Sequence, residues 1–168
     1  MITAINQKGQ SLVEALIALG AVALIISAMA VAVITSVNSS DFSKNQSRAT
    51  YYAQQGIEIL KQASQSDWNS FSDINGVYMG QRCLGDDNTF SNITNCPFSQ
   101  PNNLPGPNVS GSFIRQTLLQ PPGQNSCTEG ISGIVTVYWL DGKCRSHVYC
   151  HSVELDSCFT NINNVPAI

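Results

Sequence analysis

At 168 residues the chain is long enough for one domain of ordinary size, yet only 11% of it is charged, less than half of the roughly 25% usual in soluble domains. Eight Lys and Arg stand against eleven Asp and Glu with no basic run, which argues against nucleic-acid binding, because phosphate contacts need clustered cations. An apolar share of 43% disfavours intrinsic disorder, and 56 Asn, Gln, Ser and Thr residues supply most of the polar surface.

The first predicted element is a membrane helix. Residues 15–37 are 23 consecutive uncharged positions rich in Ala, Leu, Ile and Val. As a helix they span about 34 Å, enough for the hydrocarbon core of a bilayer. Their few polar members, Ser27, Thr35 and Ser36, can bond back to helix carbonyls. The run is too long for a secretory signal, and cleavage at Ala28-Met29-Ala30 would leave an apolar new terminus through Val37. An uncleaved anchor fits better, with Lys8 on the cytoplasmic side. Glu14 sits just inside the apolar region, where a carboxylate costs a few kcal/mol and so calls for a partner. The plain alternative is that it snorkels to the headgroups.

The run Lys8-Gly9-Gln10-Ser11-Leu12-Val13-Glu14 before an apolar helix resembles the class III leader of type IV pilins and pseudopilins. The resemblance implies a leader at 1–9, a long helix at 10–65 with its transmembrane part at 12–37, and a β-rich head at 66–168. It also implies that a membrane-embedded prepilin peptidase cuts between Gly9 and Gln10 and methylates the new amino terminus at Gln10, with Glu14 serving assembly. The sequence departs from the family at Gln10, where an aromatic residue is usual, and in having no proline between Gln10 and Pro97. The chemistry is coherent without the name. Cleavage before the apolar segment keeps the anchor and creates a cationic amino group, which Glu14 of a neighbouring subunit can neutralise in the low-dielectric bundle, fixing the stagger between helices.

After the polar stretch at 38–47, Ala49, Ala53, Gly56, Ile57, Leu60 and Ser64 recur at helical spacing, with Gln54, Lys61 and Gln62 elsewhere. This half is suited to packing on a sheet. From Asp67 the texture changes to strands, turns and loops. Asn75-Gly76 marks a turn, residues 97–107 and 120–123 read as proline-rich loops, and 112–119 is a plausible strand. Residues 134–140 and 145–155 form the clearest hairpin, joined at Asp141-Gly142, a dipeptide suited to the positive φ angles of a tight turn. These closing strands, with Ala53-Gln54-Gln55-Gly56-Ile57-Glu58 and Trp68, also resemble PilV-like minor pilins. The implied fold class is α+β: a long helix packed on a small antiparallel sheet with disulfides.

All six cysteines, Cys83, Cys96, Cys127, Cys144, Cys150 and Cys158, follow the apolar helix. Confined to the part that would be exported, they fit disulfides formed in an oxidising compartment. Cys83 and Cys96 are the easiest to join, across a short loop with turn residues Gly85 and Asp86-Asp87-Asn88. In the hairpin a two-residue turn makes paired positions sum to 283, which brings Cys127 near residue 156, and close to Cys158 if the irregular segment after Ser126 relaxes the count by two. The same register leaves Cys144 and Cys150 about 20 Å apart on one strand, so they meet only if it bends sharply. Zinc competes through Cys144, His147, Cys150 and His151. No CxxC pair accompanies them, however, and strand alternation puts the cysteines on one face and the histidines on the other. No metal or other cofactor is expected. Asp86-Asp87-Asn88 is too small a set of oxygen ligands to make a calcium site by itself.

The chain has no GxSxG elbow, HExxH helix or Walker loop, so a non-enzymatic, structural role is expected. The reading is a minor type IV pilin-like subunit whose partners are other pilin subunits, the prepilin peptidase and, before assembly, the membrane. It would be a single-pass membrane protein first and part of an extracellular pilus afterwards. The alternatives are a pseudopilin of a type II secretion or competence DNA-uptake system, or an uncleaved membrane-anchored binding protein.

Overall fold

A computed structural model describes residues 7–92, 108–124, 127–142, 144 and 149–161, and the side chains among these except at 7–11 and 92. The fold is α+β. Helix α1 (Gln7–Ser66) is followed by a short helix α2 (Trp68–Ser72) and strands β1 (Gly80–Leu84), β2 (Phe90–Asn92), β3 (Phe113–Gln120), β4 (Ile131–Trp139) and β5 (His151–Phe159). The strands form one antiparallel sheet in the order β2-β1-β3-β4-β5. The chain divides into two compact units, residues 1–43 and 44–168, and α1 runs through the division.

Among the described residues of the first unit α1 is the one element. Every described side chain from residue 12 to residue 41 is exposed, including Leu16, Ile17, Leu24, Ile26 and Ile34. Ser27 Oγ donates to the Ala23 carbonyl at 2.8 Å and Thr35 Oγ1 to that of Val31 at 2.9 Å, so these hydroxyls are satisfied within the helix. Over Leu12–Ser66 the helix is long and apolar enough to cross a membrane.

In the second unit the remaining turns of α1 lie on the sheet. Ala49, Ala53, Gly56, Leu60 and Ser64 are buried, and their spacing of three and four places them on one helix face. Facing them are Phe113, Arg115, Thr117 and Leu119 of β3 and Ile131, Val135, Val137 and Trp139 of β4, all buried, at the every-second-residue spacing of an inward sheet face. Gly56 marks the closest approach. A Cβ there would stand 2.8 Å from Val135 Cγ1 and 3.3 Å from Arg115 Cδ, so only glycine lets the helix come this near. The end of the sheet is closed by rings: Phe71 lies 5.5 Å from Phe159 and 5.7 Å from Tyr78 between centroids. The turn expected at Asn75-Gly76 is closed by the Gly76 N–H donating to the Asp73 carbonyl at 2.8 Å.

The predicted hairpin requires a correction. Strands β4 and β5 pair with Trp139 opposite His151 and Ile131 opposite Phe159, so positions sum to 290 rather than 283. Strand β4 ends at Trp139 and β5 begins only at His151, so Asp141-Gly142 is not a two-residue turn joining the strands, and the described residues between them, 140–142, 144, 149 and 150, lie in no strand. Apolar pairing accounts for the difference. On the inward face the observed register sets Val137 against Val153, Val135 against Leu155 and Ile131 against Phe159, whereas a sum of 283 would set Val135 against Val148 but Val137 against Ser146 and Ile131 against Ser152.

Candidate functional site

The residues singled out by sequence lie at the start of α1, in the connection between β4 and β5, and at cysteines and carboxylates elsewhere in the head. The Gly9–Gln10 bond falls in the first turn of α1. The first four N–H groups of a helix have no intrahelical acceptor, so unwinding this turn breaks few hydrogen bonds. Glu14 follows one turn later, with an exposed side chain. Among the described residues it forms no ion pair, so a countercharge for it must come from outside them.

In the head the structure joins Cys127 to Cys158, with α carbons 5.7 Å apart, and Cys144 to Cys150, in the β4–β5 connection, with α carbons 5.6 Å apart. Cys158 lies opposite Ser132 in the ladder, so the first bridge ties the segment preceding β4 to the edge strand β5. The second closes the β4–β5 loop on itself. It is possible because β5 begins only at His151, which frees Cys150 from the strand geometry that would have held it about 20 Å from Cys144. Cys83 is buried in β1 and disulfide-bonded, and its expected partner Cys96 lies outside the described residues. With Cys144 and Cys150 joined, the thiolates a zinc ion would need are engaged in a covalent bond; His147 lies outside the described residues.

Around the second bridge the structure brings Asp141 and Trp139 to Cys144, Cys150 and His151, a link that the sequence did not show. Asp141 Oδ2 is 3.0 Å from His151 Nε2. The His151 ring stacks on Trp139, with centroids 5.3 Å apart and planes 27° apart. The backbone N–H of Asp141 points to Cys144 Sγ at 3.4 Å, and the N–H of Cys144 donates to the Asp141 carbonyl at 3.1 Å. The donor atoms of Asp141, Cys144, Cys150 and His151 all lie within 4.8 Å of one another. The clue in sequence was the wrong one: Asp141-Gly142 read as a turn signal hid Asp141 as a partner for His151.

The Asp86-Asp87-Asn88 segment borders a depression of about 360 Å³ lined by Gly85, Asp86, Asp87, Thr89, Ser91 and Asn108. Its carboxylates are occupied locally. Asp86 Oδ2 accepts from the Ser110 N–H at 2.7 Å, and Asp87 Oδ1 accepts from the Thr89 hydroxyl at 2.7 Å and its N–H at 3.1 Å. The Thr89 hydroxyl bond, then the N–H bond, hold the Asp87 carboxyl below its ordinary pKa. The segment thus closes a turn and braces β3.

Sequence reasoning also missed the role of Arg115, which is fully buried under α1. Its Nε donates to the Leu84 carbonyl, Nη1 to the Tyr52 carbonyl and Gln55 Oε1, and Nη2 to the Gly85 carbonyl, at 3.2, 3.3, 2.9 and 2.7 Å. Burial lowers the guanidinium pKa from its ordinary value, and the charges of Asp86 and Tyr52 oppose that shift. The signal was available: Arg115 alternates in phase with Phe113, Thr117 and Leu119, which places it on the inward face.

Comparisons with models of protein families, with curated proteins and with solved structures find no match. The functional reading therefore rests on the residues of this chain.

Proposed function

We propose that the protein is a minor type IV pilin-like subunit. It is held in the membrane as a prepilin, cut after Gly9, methylated on the new amino terminus of Gln10, and then enters a filament through α1 while displaying a disulfide-bonded head. The observation that carries the reading is the division of labour along α1. Its first part is apolar, exposed and able to cross a bilayer, and begins with an exposed Glu14. Its last part presents a buried face to the sheet at Ala49, Ala53, Gly56 and Leu60. An ordinary membrane anchor needs no carboxylate at the start of its apolar stretch and gains nothing from one. In a helical filament, the same carboxylate meets the amino terminus of the adjacent subunit. Each group then offsets part of the other's desolvation.

The test is Glu14→Leu in cells that assemble the filament. Insertion into the membrane should be unchanged or better, since an apolar side chain is favoured in lipid, while the amount recovered in sheared filaments falls at least about tenfold, the equivalent of one weakened ion pair of ~1.4 kcal/mol. Incorporation equal to wild type would mean that Glu14 only snorkels to the headgroups.

A further inference from the structure

We propose that Asp141, Cys144, Cys150 and His151 form a redox-gated zinc site in the loop joining β4 to β5, closed while the cysteines are bonded to each other and available when they are thiols. The site is independent of how the N-terminal helix is used, so it goes beyond the filament reading.

The geometry is close to what zinc requires. Each of the four residues offers one donor atom, and the four atoms lie within 4.8 Å of one another. In a tetrahedral zinc centre with bonds of about 2.0–2.3 Å, neighbouring donors are about 3.3–3.8 Å apart. The oxygen and nitrogen thus need to draw in by about 1 Å at most, while the two sulfurs separate from bonding distance to about 3.8 Å. The disulfide is therefore the gate. Two sulfurs, one imidazole nitrogen and one carboxylate oxygen match the preferences of zinc and not those of calcium or magnesium, which take oxygen ligands.

Half of the site is held by elements that do not depend on the bridge. His151 is fixed by its ladder position opposite Trp139 and by stacking on the indole. Asp141 lies two residues beyond Trp139, with Oδ2 already 3.0 Å from His151 Nε2. The turn from Asp141 to Cys144 is closed by the Cys144 N–H bond to the Asp141 carbonyl, and it aims the Asp141 N–H at Cys144 Sγ, a contact that stabilises a thiolate and orients it toward a metal. Strand alternation would point Cys150 and His151 to opposite faces, but β5 starts at His151, so Cys150 is free of that constraint.

The opening step balances with a dithiol reductant. The Cys144–Cys150 bond takes up two electrons and two protons, giving two thiols, and the reductant closes to its cyclic disulfide. Zinc then displaces the two thiol protons. Of the two described bridges this is the one poised to open. It spans 6 residues against 31 for Cys127–Cys158; with loop closure scaling as the three-halves power of length, the shorter bridge favours the folded chain less by roughly tenfold. Each bridge has one exposed cysteine, Cys150 and Cys158, but the partner sulfur is half-buried at Cys144 and fully buried at Cys127, which is 2% exposed.

The experiment uses the full-length protein in detergent micelles. It is treated anaerobically with dithiothreitol, freed of reductant, and titrated with Co²⁺ and then Zn²⁺, and peptide mapping identifies which bridge has opened. The proposal expects Cys144–Cys150 to open first and one Co²⁺ to bind per chain with a thiolate-to-cobalt charge-transfer band. One Zn²⁺ should displace it, and the oxidised protein should show no such band. Cys144→Ser with Cys150→Ser should abolish the band. Asp141→Asn and His151→Gln should each weaken zinc binding by about tenfold or more, and His151→Asp, which keeps a donor at that position, should bind more tightly than His151→Gln. The proposal is overturned if Cys127–Cys158 opens first, if the opened loop binds no cobalt, or if Asp141→Asn and His151→Gln leave the zinc affinity unchanged.

Discussion

Replacing Arg115 separates two accounts of how the helix is held to the sheet. Arg115 is fully buried and makes four hydrogen bonds, to Leu84, Tyr52, Gln55 and Gly85, and among the described residues it forms no ion pair. Hydrogen bonds involving a charged group are worth about 1.5–3 kcal/mol each, so four give ~6–12 kcal/mol. Burying an unpaired cation takes back several kcal/mol. The acceptors are not stripped when Arg115 goes: the Leu84 carbonyl also receives the Asn108 amide and the Gly85 carbonyl also receives the Asn88 N–H. Arg115→Met should therefore destabilise the head by about 2–4 kcal/mol, a net of these opposing terms. In a unit of this size that lowers the melting temperature by roughly 6–15 °C. Arg115→Lys keeps the charge and its desolvation but lacks the planar fork that reaches four acceptors, so it should be at least as damaging as Met. The assay is thermal unfolding of the full-length, disulfide-intact protein in detergent, followed by near-ultraviolet circular dichroism. If Lys restores stability to within about 1 kcal/mol of wild type, charge and not the forked geometry holds α1 to β3, and the reasoning fails.

The two described disulfides should rank by loop length. Cys127→Ser with Cys158→Ser should cost about 3–4 kcal/mol in the chain-entropy picture and Cys144→Ser with Cys150→Ser about 2 kcal/mol, read as denaturation midpoints; the reverse order would show that contacts and not loop closure dominate. Acid should weaken the head through Asp67 and Asp87. Hydrogen bonds from Ser70 and Thr89 lower both carboxyl pKa values, so their contribution is full above the unfolded aspartate pKa and is lost as the pH falls through the lower folded values. Asp67→Asn with Asp87→Asn should flatten that acid limb without changing the neutral-to-basic limb, and an unchanged acid limb would place the loss elsewhere.

Much of the fold was legible because its longest elements carry strong periodicities. The buried face Ala49, Ala53, Gly56, Leu60 and Ser64 stands in the sequence at helical spacing, and β3 and β4 alternate between core and partly exposed positions. Strands β1 and β2 were not legible. Gly80–Leu84 begins with glycine and includes Gln81 and Arg82, and Phe90–Asn92 is three residues long, too short to show a period. Both are defined by their partners: β1 by Leu119, Leu118, Thr117 and Gln116 of β3, and β2 by β1. The β4–β5 connection misled for a different reason. Asp141-Gly142 has the composition of a tight turn, but a local signal of this kind is outweighed when another register pairs more apolar side chains across the strands. With the register came the surroundings of the Cys144–Cys150 bridge, since only the observed pairing sets His151 on Trp139 and next to Asp141.

The central claim turns on the bond between Gly9 and Gln10. Mass spectrometry of the N-terminal peptide from protein isolated with the filament fraction reads it directly. The expected chain starts at Gln10 and carries one added methyl group relative to the unmodified sequence, and Gly9→Val, which puts a β-branched side chain in place of glycine, should accumulate uncut in the membrane. A chain that retains residues preceding Gln10, or a Gly9→Val variant that is cut and assembled like wild type, would contradict the filament role and leave an anchored binding protein as the better description.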